Sequence, residues 1–154
     1  MSIPLPLLGR GYTSIVLTPQ SIGTAGALAD VSTAAVTLTA RIDSFNEELI
    51  AQTENISPMT STRAHNVVVE DDFEMTFSEI KMNDGSKASR LKVLVTNYDV
   101  FKAQWTEGSG ASAQSITAYG TRGRFSSGGQ GKGKQTASLS FQQVDAGTAT
   151  YAVS

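Results

Sequence analysis

Four groups of residues have types or spacings that could do chemistry. The run Gly128-Gly129-Gln130-Gly131-Lys132-Gly133-Lys134 has the glycine spacing and lysine of a phosphate-binding P-loop, but Gln135 stands where a serine or threonine must hold magnesium. Such a loop also needs a helix directly after it, to aim backbone N–H groups at phosphate. Here Gln135 to Gln142 alternates like a strand instead, so the segment reads as a hairpin loop ordered by a partner. Glu70, Asp71, Asp72 and Glu74 could suggest a carboxylate pair or a calcium site, but they lack the spaced aspartates and glycine of a calcium loop. A solvated acidic face accounts for them better. His65 is the single histidine, and no nucleophile elbow accompanies it. Tyr98, Phe101 and Trp105 could make a sugar platform, though their spacing suits a core helix face. No cofactor, metal or catalytic constellation emerges, and the chain reads as a non-enzyme.

The acids sit on the clearest local pattern in the chain. From Asn66 to Phe77 the residues alternate, placing Val67, Val69, Phe73, Met75 and Phe77 on one side. Glu70, Asp72, Glu74 and Thr76 take the other, because successive strand side chains point to opposite faces. A long strand with one apolar and one acidic face predicts a wall between protein and water.

Bulk composition narrows the class. The chain has 154 residues, the size of one ordinary domain, and only 17% of them are charged. Eighteen serines and 17 threonines fill the gap and favour turns and strands. A net charge of −2 argues against a nucleic-acid-binding domain, and the absence of cysteine removes thiol chemistry and disulfides. The start, MSIPLPLLGRG, is proline-broken and lacks a basic leader. It predicts an extended arm over residues 1–10, with Ile3, Leu5 and Leu7 contacting a neighbour, rather than a signal peptide or membrane span.

The elements follow from periodicity. Gly11 to Pro19 and Ala34 to Ile42 read as strands; in the second, Val36, Leu38, Ala40 and Ile42 share a face opposite Thr37 and Thr39. Ser44 and Glu47 have capping-box spacing, but the same residues can prolong the strand to Ile50, which is the reading preferred here. Residues 52–65 form a long polar loop ordered by a neighbouring copy, with Pro58 and Arg63 as candidate inter-subunit or inter-ring contacts. Asn83-Asp84-Gly85-Ser86 makes a turn ending in a helix cap, and Leu91, Leu94, Val95, Tyr98, Phe101 and Trp105 predict a helix over about 87–106, closed by Gly108. Its β-branched residues oppose that helix. Ser115 to Phe125 is a strand, 126–134 a glycine-rich loop, and Gln135 to Gln142 and Thr148 to Val153 complete six or so strands in a single domain. Arg122, Arg124, Lys132 and Lys134 gather near the loop and predict an exposed hairpin that meets acid on another copy.

This order of elements, with the stretches TLTARIDSFNEEL, NVVVEDDFEMTFSEI and SLSFQQVDAGTATYAVS, resembles the major tail tube protein of long-tailed bacteriophages. The resemblance runs from about Val36 to the C-terminus. It implies a mainly β, sandwich- or barrel-like protomer with one flanking helix, whose long strands merge into an inter-subunit barrel. It implies a virion protein made in the host cytoplasm, assembling as hexameric rings that stack into a tube and meet other tail proteins. DNA passes through such a tube without specific binding. Glu70, Asp72 and Glu74 are then candidates for the bore, with Thr37, Thr39, Ser138, Ser140 and Gln142 as secondary ones. Two rivals stand beside it: another β-rich virion component (head-completion, capsid-decorating or tail-terminator), and a carbohydrate-binding β-sandwich.

Overall fold

The computed structural model describes residues 12–57, 65–144 and 151–154. The arm at residues 1–10 therefore lies outside the described residues, as do Pro58, Arg63 and the turn at Asp145–Gly147. The described chain forms nine strands: β1 (Tyr12–Ile22), β2 (Leu28–Asp30), β3 (Val36–Thr37), β4 (Ile42–Ile56), β5 (His65–Ile80), β6 (Val100–Glu107), β7 (Gln114–Gly129), β8 (Gln135–Gln143) and β9 (Tyr151–Val153). A helix, α1, spans Arg90–Asn97. The strands run antiparallel in the order β2-β1-β6-β7-β8-β5-β4, with β3 added on β1 and β9 on β7. The mainly β protomer with one flanking helix is thus the observed class.

The sheet folds over itself because β7 serves two layers. Its first half pairs with β6 from Gln114 to Thr121, and its second half pairs with β8 from Gly120 to Gly129. A register shift between Arg122 and Phe125 supplies the bend, as bulges do. Glycine is required there: a Cβ on Gly120 would sit 2.8 Å from the Phe141 Cβ, and one on Gly123 would sit 2.7 Å from Ser140 Oγ. Aromatic rings close the two layers face to face. Phe45 on β4 meets Trp105 on β6 edge-on at 4.9 Å, and Phe101 on β6 meets Phe141 on β8 edge-on at 5.2 Å. Ile15, Leu17, Leu91, Leu94, Met75, Ile116 and Leu139 fill the remainder of the core.

The helix is shorter than its spacing predicts. It ends at Asn97, and Val100 opens a strand on which Phe101, Ala103 and Trp105 are buried in alternation. Positions 98, 101 and 105 fit a helical interval by coincidence, because the small Ala103 hides the two-residue period. The β-branched residues win in that segment. Gly108 does adopt positive φ (80°), but it terminates β6 rather than a helix. The cap also moves. Ser89 accepts the Lys92 N–H at 3.1 Å, whereas Ser86 joins Asp84 in binding the buried Arg41 guanidinium. Glu79, wholly buried at the end of β5, accepts from the Leu91 N–H (2.9 Å) and from the Ser89 hydroxyl. A strand carboxylate therefore sits at the positive end of the helix.

Three other expectations change. Residues 34–42 are not one strand: a 3-10 turn at Ser32–Ala34 leads into the two-residue β3, and Ile42 already belongs to β4. β4 extends to Ile56, shortening the polar loop expected from residue 52. β7 runs through Ser126–Gly129, so the glycine loop shrinks to a turn bridged by Gly133 N–H to Gln130 O at 3.1 Å. A Cβ on Gly129 would lie 2.5 Å from Gln135 Cγ, so glycine there permits close strand pairing instead of marking a loop. The strand reading of residues 44–50 holds, as does a strand rather than a helix after the glycine run.

Candidate functional site

Register assembles a polar wall from four strands. Residues directly opposite on antiparallel strands share a face. On β5, Asp72, Glu74, Thr76 and Ser78 stand opposite Ile50, Glu48, Asn46 and Ser44 of β4. On the other side, Glu74, Thr76 and Ser78 stand opposite Gln142, Ser140 and Ser138 of β8, and Ser138 stands opposite Ser126 of β7. Phe73, Met75, Phe77, Leu139 and Phe141 point the other way, into the core. The core sequence pattern forces the remaining residues outward, and they are nearly all hydroxyls, amides and carboxylates.

This face holds Asp72 and Glu74, as their alternation predicts, with Ser138, Ser140 and Gln142 beside them. It adds Glu48, which sequence reading missed although Asn46, Glu48 and Ile50 alternate visibly. Glu48 and Glu74 are cross-strand partners, a like-charge pair that costs stability rather than supplying it. Gln52 donates to Asp72 Oδ2 at 3.0 Å, extending the polar face outward. Glu70 is paired in register with Gln52. Asp71 stands opposite Ala51 and is exposed on the reverse side. Thr37 and Thr39 are elsewhere: Thr37 pairs with Val16 of β1, and Thr39 Oγ1 accepts the Ile15 N–H at 2.9 Å.

The wall has two open edges. β4 ends the sheet order, so one side of all 15 of its residues lacks a strand partner among the described residues. Beyond Thr121, β7 has lost β6, so among the described residues its second half is paired only with β8. Four strands alternate in direction between these edges, so the edges themselves run antiparallel to each other.

Past Glu74, β5 leaves β8 behind, and the β4–β5 hairpin continues alone as an arm. From Leu49 to Ile56 its length is roughly 25 Å at about 3.3 Å per residue. Thr53 faces Val68 whereas Gln52 faces Glu70, so Val69 is an extra, bulged residue. The bulge breaks the alternation expected across Val67 to Phe77: Val67 and Val68 are both exposed, at 41% and 55%. Leu49, Ile50 and Ile56 are exposed on the same arm. Five of the nine large exposed apolar residues among those described thus crowd onto one slender hairpin. A cleft lined by Ile50, Asp72, Glu74 and Gln142 opens where β8 stops.

The basic cluster is partly satisfied within the chain. Arg122 pairs with Asp99 at 3.2 Å, and Lys134 with Asp43 at 2.5 Å. Arg124 and Lys132 are exposed on the same hairpin. Trp105 and Phe101 are buried and Tyr98 is half-buried, which removes the sugar platform. His65 begins β5 opposite Ile56.

No family model and no curated protein matches the chain. Solved structures do. A chain from the virion of a native gene transfer agent particle superposes with a TM-score of 0.61 at 8% identity, covering 97% of this chain and 99% of that one. A chain from the tail of an empty gene transfer agent particle, determined with C6 symmetry, gives 0.60 at 8% identity and the same coverage. A chain of the anti-feeding prophage baseplate, 6-fold symmetrised, gives 0.50 at 11% identity, covering 99% and 97%. The likeness is one of fold. It extends over essentially the whole length of both partners, arm and helix included.

Proposed function

We propose that the chain is a structural protein of a phage-like tail, and that copies of it form the wall of a tail tube. The observation that carries this reading is the four-stranded wall with an acidic outward face and a free edge at each end. An exposed edge invites another strand. Joining the β4 edge of one copy to the second half of β7 in the next continues the antiparallel order. Such a heterologous contact closes into a ring when its rotation allows. With four strands per copy, six copies give a barrel of about 24 strands; 16- to 18-stranded barrels already hold an aqueous channel. The number six is drawn from the symmetry of the two particles named above.

In this assembly Glu48, Asp72 and Glu74 face the bore. DNA sticks to proteins chiefly where lysine and arginine release its condensed counterions, and a carboxylate wall offers none of that gain. The DNA then passes without being held. The apolar arm, too exposed for an isolated protein, docks on the next ring or the next copy together with residues 1–10. Other tail proteins would cap the stack at its ends. The protomer's role is non-enzymatic.

The likeness to a baseplate chain favours one alternative, a ring at the end of a tail rather than its repeating wall. Negative-stain microscopy of purified protein decides. Long hollow tubes support the tube reading, isolated rings support the terminal ring, and a monomer at every concentration refutes both. Replacing the exposed Ile50 and Val68 with lysine should leave the protomer folded and abolish tubes.

A further inference from the structure

One acidic side chain points inward between the layers. Glu47 lies on the core side of β4, opposite Met75, and is half-buried. Its Oε2 accepts from Tyr151 Oη of β9 at 2.5 Å. Glu107 at the end of β6 stands within hydrogen-bonding reach of the same carboxyl. Glu107 Oε1 in turn accepts from the Trp105 indole N–H at 3.2 Å. Strands β4, β6 and β9 are not neighbours in the sheet, so this cluster joins one layer to the other.

Among the described residues no cation balances the pair, and none of the ion pairs reaches Glu47 or Glu107. The other side chains packed there are Phe45, Phe73, Met75 and Trp105, and Glu48 and Glu74 face the opposite side of the sheet. The register partners of Glu107 are Tyr12 and Gln114, neither of them a basic residue. Two carboxylates in contact without a counterion cannot both stay ionised cheaply, and a shared proton converts the repulsion into a hydrogen bond. Burial pushes the Glu47 carboxyl above its ordinary value of 4.5; Glu107 pushes it the same way, and the Tyr151 hydroxyl opposes them.

We propose that Glu47, lying between the Tyr151 hydroxyl and the Glu107 carboxyl, takes up a proton and forms an acid-closed clasp that ties the base of the arm to the C-terminal strand. The folded protein binds a proton that the unfolded chain would release. The clasp is therefore complete below about 4.5, and its contribution is lost as pH rises through the raised folded value. Opening frees β9, which is held to β7 by three register pairs, and unpins β4 just before the arm begins.

The chain contains its own reporter, since Trp105 is its single tryptophan and bonds directly to the pair. Its emission, and amide-exchange protection at residues 151–153 corrected for intrinsic rates, are to be followed from pH 4 to 9 in the full chain. The wild type should show one transition in both signals, with protection falling about tenfold for each pKa unit of displacement. Glu47→Gln reproduces the closed form, because its amide donates to Glu107 and its carbonyl accepts from Tyr151; the transition should vanish and protection at pH 8 should rise. Glu107→Gln removes the like-charged neighbour but leaves Glu47 buried, so the transition should persist and move to lower pH. Tyr151→Phe removes the donor that favours the charged form, so the transition should move to higher pH. An unchanged transition in both glutamine variants, a downward move in Tyr151→Phe, or a wild type flat across the range would overturn the clasp.

Discussion

The cross-strand pair Glu48–Glu74 gives the sharpest test of the wall, because it separates what the fold prefers from what a conduit needs. The two carboxylates are direct partners on adjacent strands, and Gln142 on the other side of Glu74 offers no charge. A like-charge pair in this position is destabilising, and an opposite-charge pair contributes roughly 0.2–1 kcal/mol. Glu48→Lys reverses one sign and so removes a repulsion and adds an attraction. Glu48 is exposed and Glu74 half-buried, which places the net gain at the modest end, about 0.5–1 kcal/mol. For a chain of this size that is an increase in Tm of about 1–4 °C. Thermal unfolding of the unassembled protein in about 20 mM salt should show it, and about 0.5 M salt should erase most of it, because the Debye length then falls below the span of the pair. The same substitution should slow DNA passage in assembled tubes, most clearly when combined with Asp72→Lys and Glu74→Lys. An unchanged or lowered Tm at low salt would mean that the two carboxylates do not share a face. Normal infectivity of particles carrying the triple variant would remove these residues from the bore.

Other consequences concern stability. Phe77 is wholly buried among Phe45, Trp105 and Phe141, so Phe77→Ala should cost about 3–5 kcal/mol in denaturant titration. Ser89→Ala removes the cap on Lys92 and one donor to buried Glu79, and should cost about 1–2 kcal/mol by the same assay. Asp84 is held down to about 2, first by the Ser86 hydroxyl, then by the Ser86 N–H and Arg41. Its stabilisation is therefore present above about 3.8 and lost as pH falls through about 2, so Asp84→Asn should flatten acid unfolding in that window when followed by circular dichroism. Gly129→Ala should loosen the β7–β8 turn, seen as faster amide exchange there, since the added Cβ meets Gln135 at 2.5 Å.

What the chain discloses before folding is what repeats locally. The acidic and apolar alternation from Asp72 to Phe77 is visible because one strand carries it, whereas Pro19 does not end its strand, which runs on to Ile22, and the glycine run begins inside β7. The bulge at Val69 is invisible, because it depends on β4 offering one residue fewer. The helix end is misread because Phe101 and Trp105 satisfy a helical and a strand interval together, and only pairing with Gly120 and Ile116 of β7 decides between them. Glu48 was overlooked beside the louder acids of β5, though its parity matches theirs once the hairpin register is known. The Glu47–Glu107–Tyr151 cluster could not be inferred at all: its members lie on three strands, brought together by the bend at Gly120–Phe125.

Neighbouring glutamates 47 and 48 concentrate the tension in this protein. Strand geometry sends one into the seam between layers and the other onto the outward wall. Glu48 repels its partner across the strand pair, and Glu47 stands against another carboxylate in the core, so neither is explained by stability of the isolated protomer. An apolar residue at 47 would pack better against Met75 and Phe45, and a lysine at 48 would satisfy Glu74. Natural proteins retain such costs chiefly at functional sites. In the proposed tube Glu48 would have a purpose that exists only in the assembly, where many copies would present the same charge to one passage. Its cost to the protomer is small beside the edge pairing that a closed ring would complete. Glu47 sits two residues before the arm that would make the next contact, so a proton there can bias how firmly the arm is anchored.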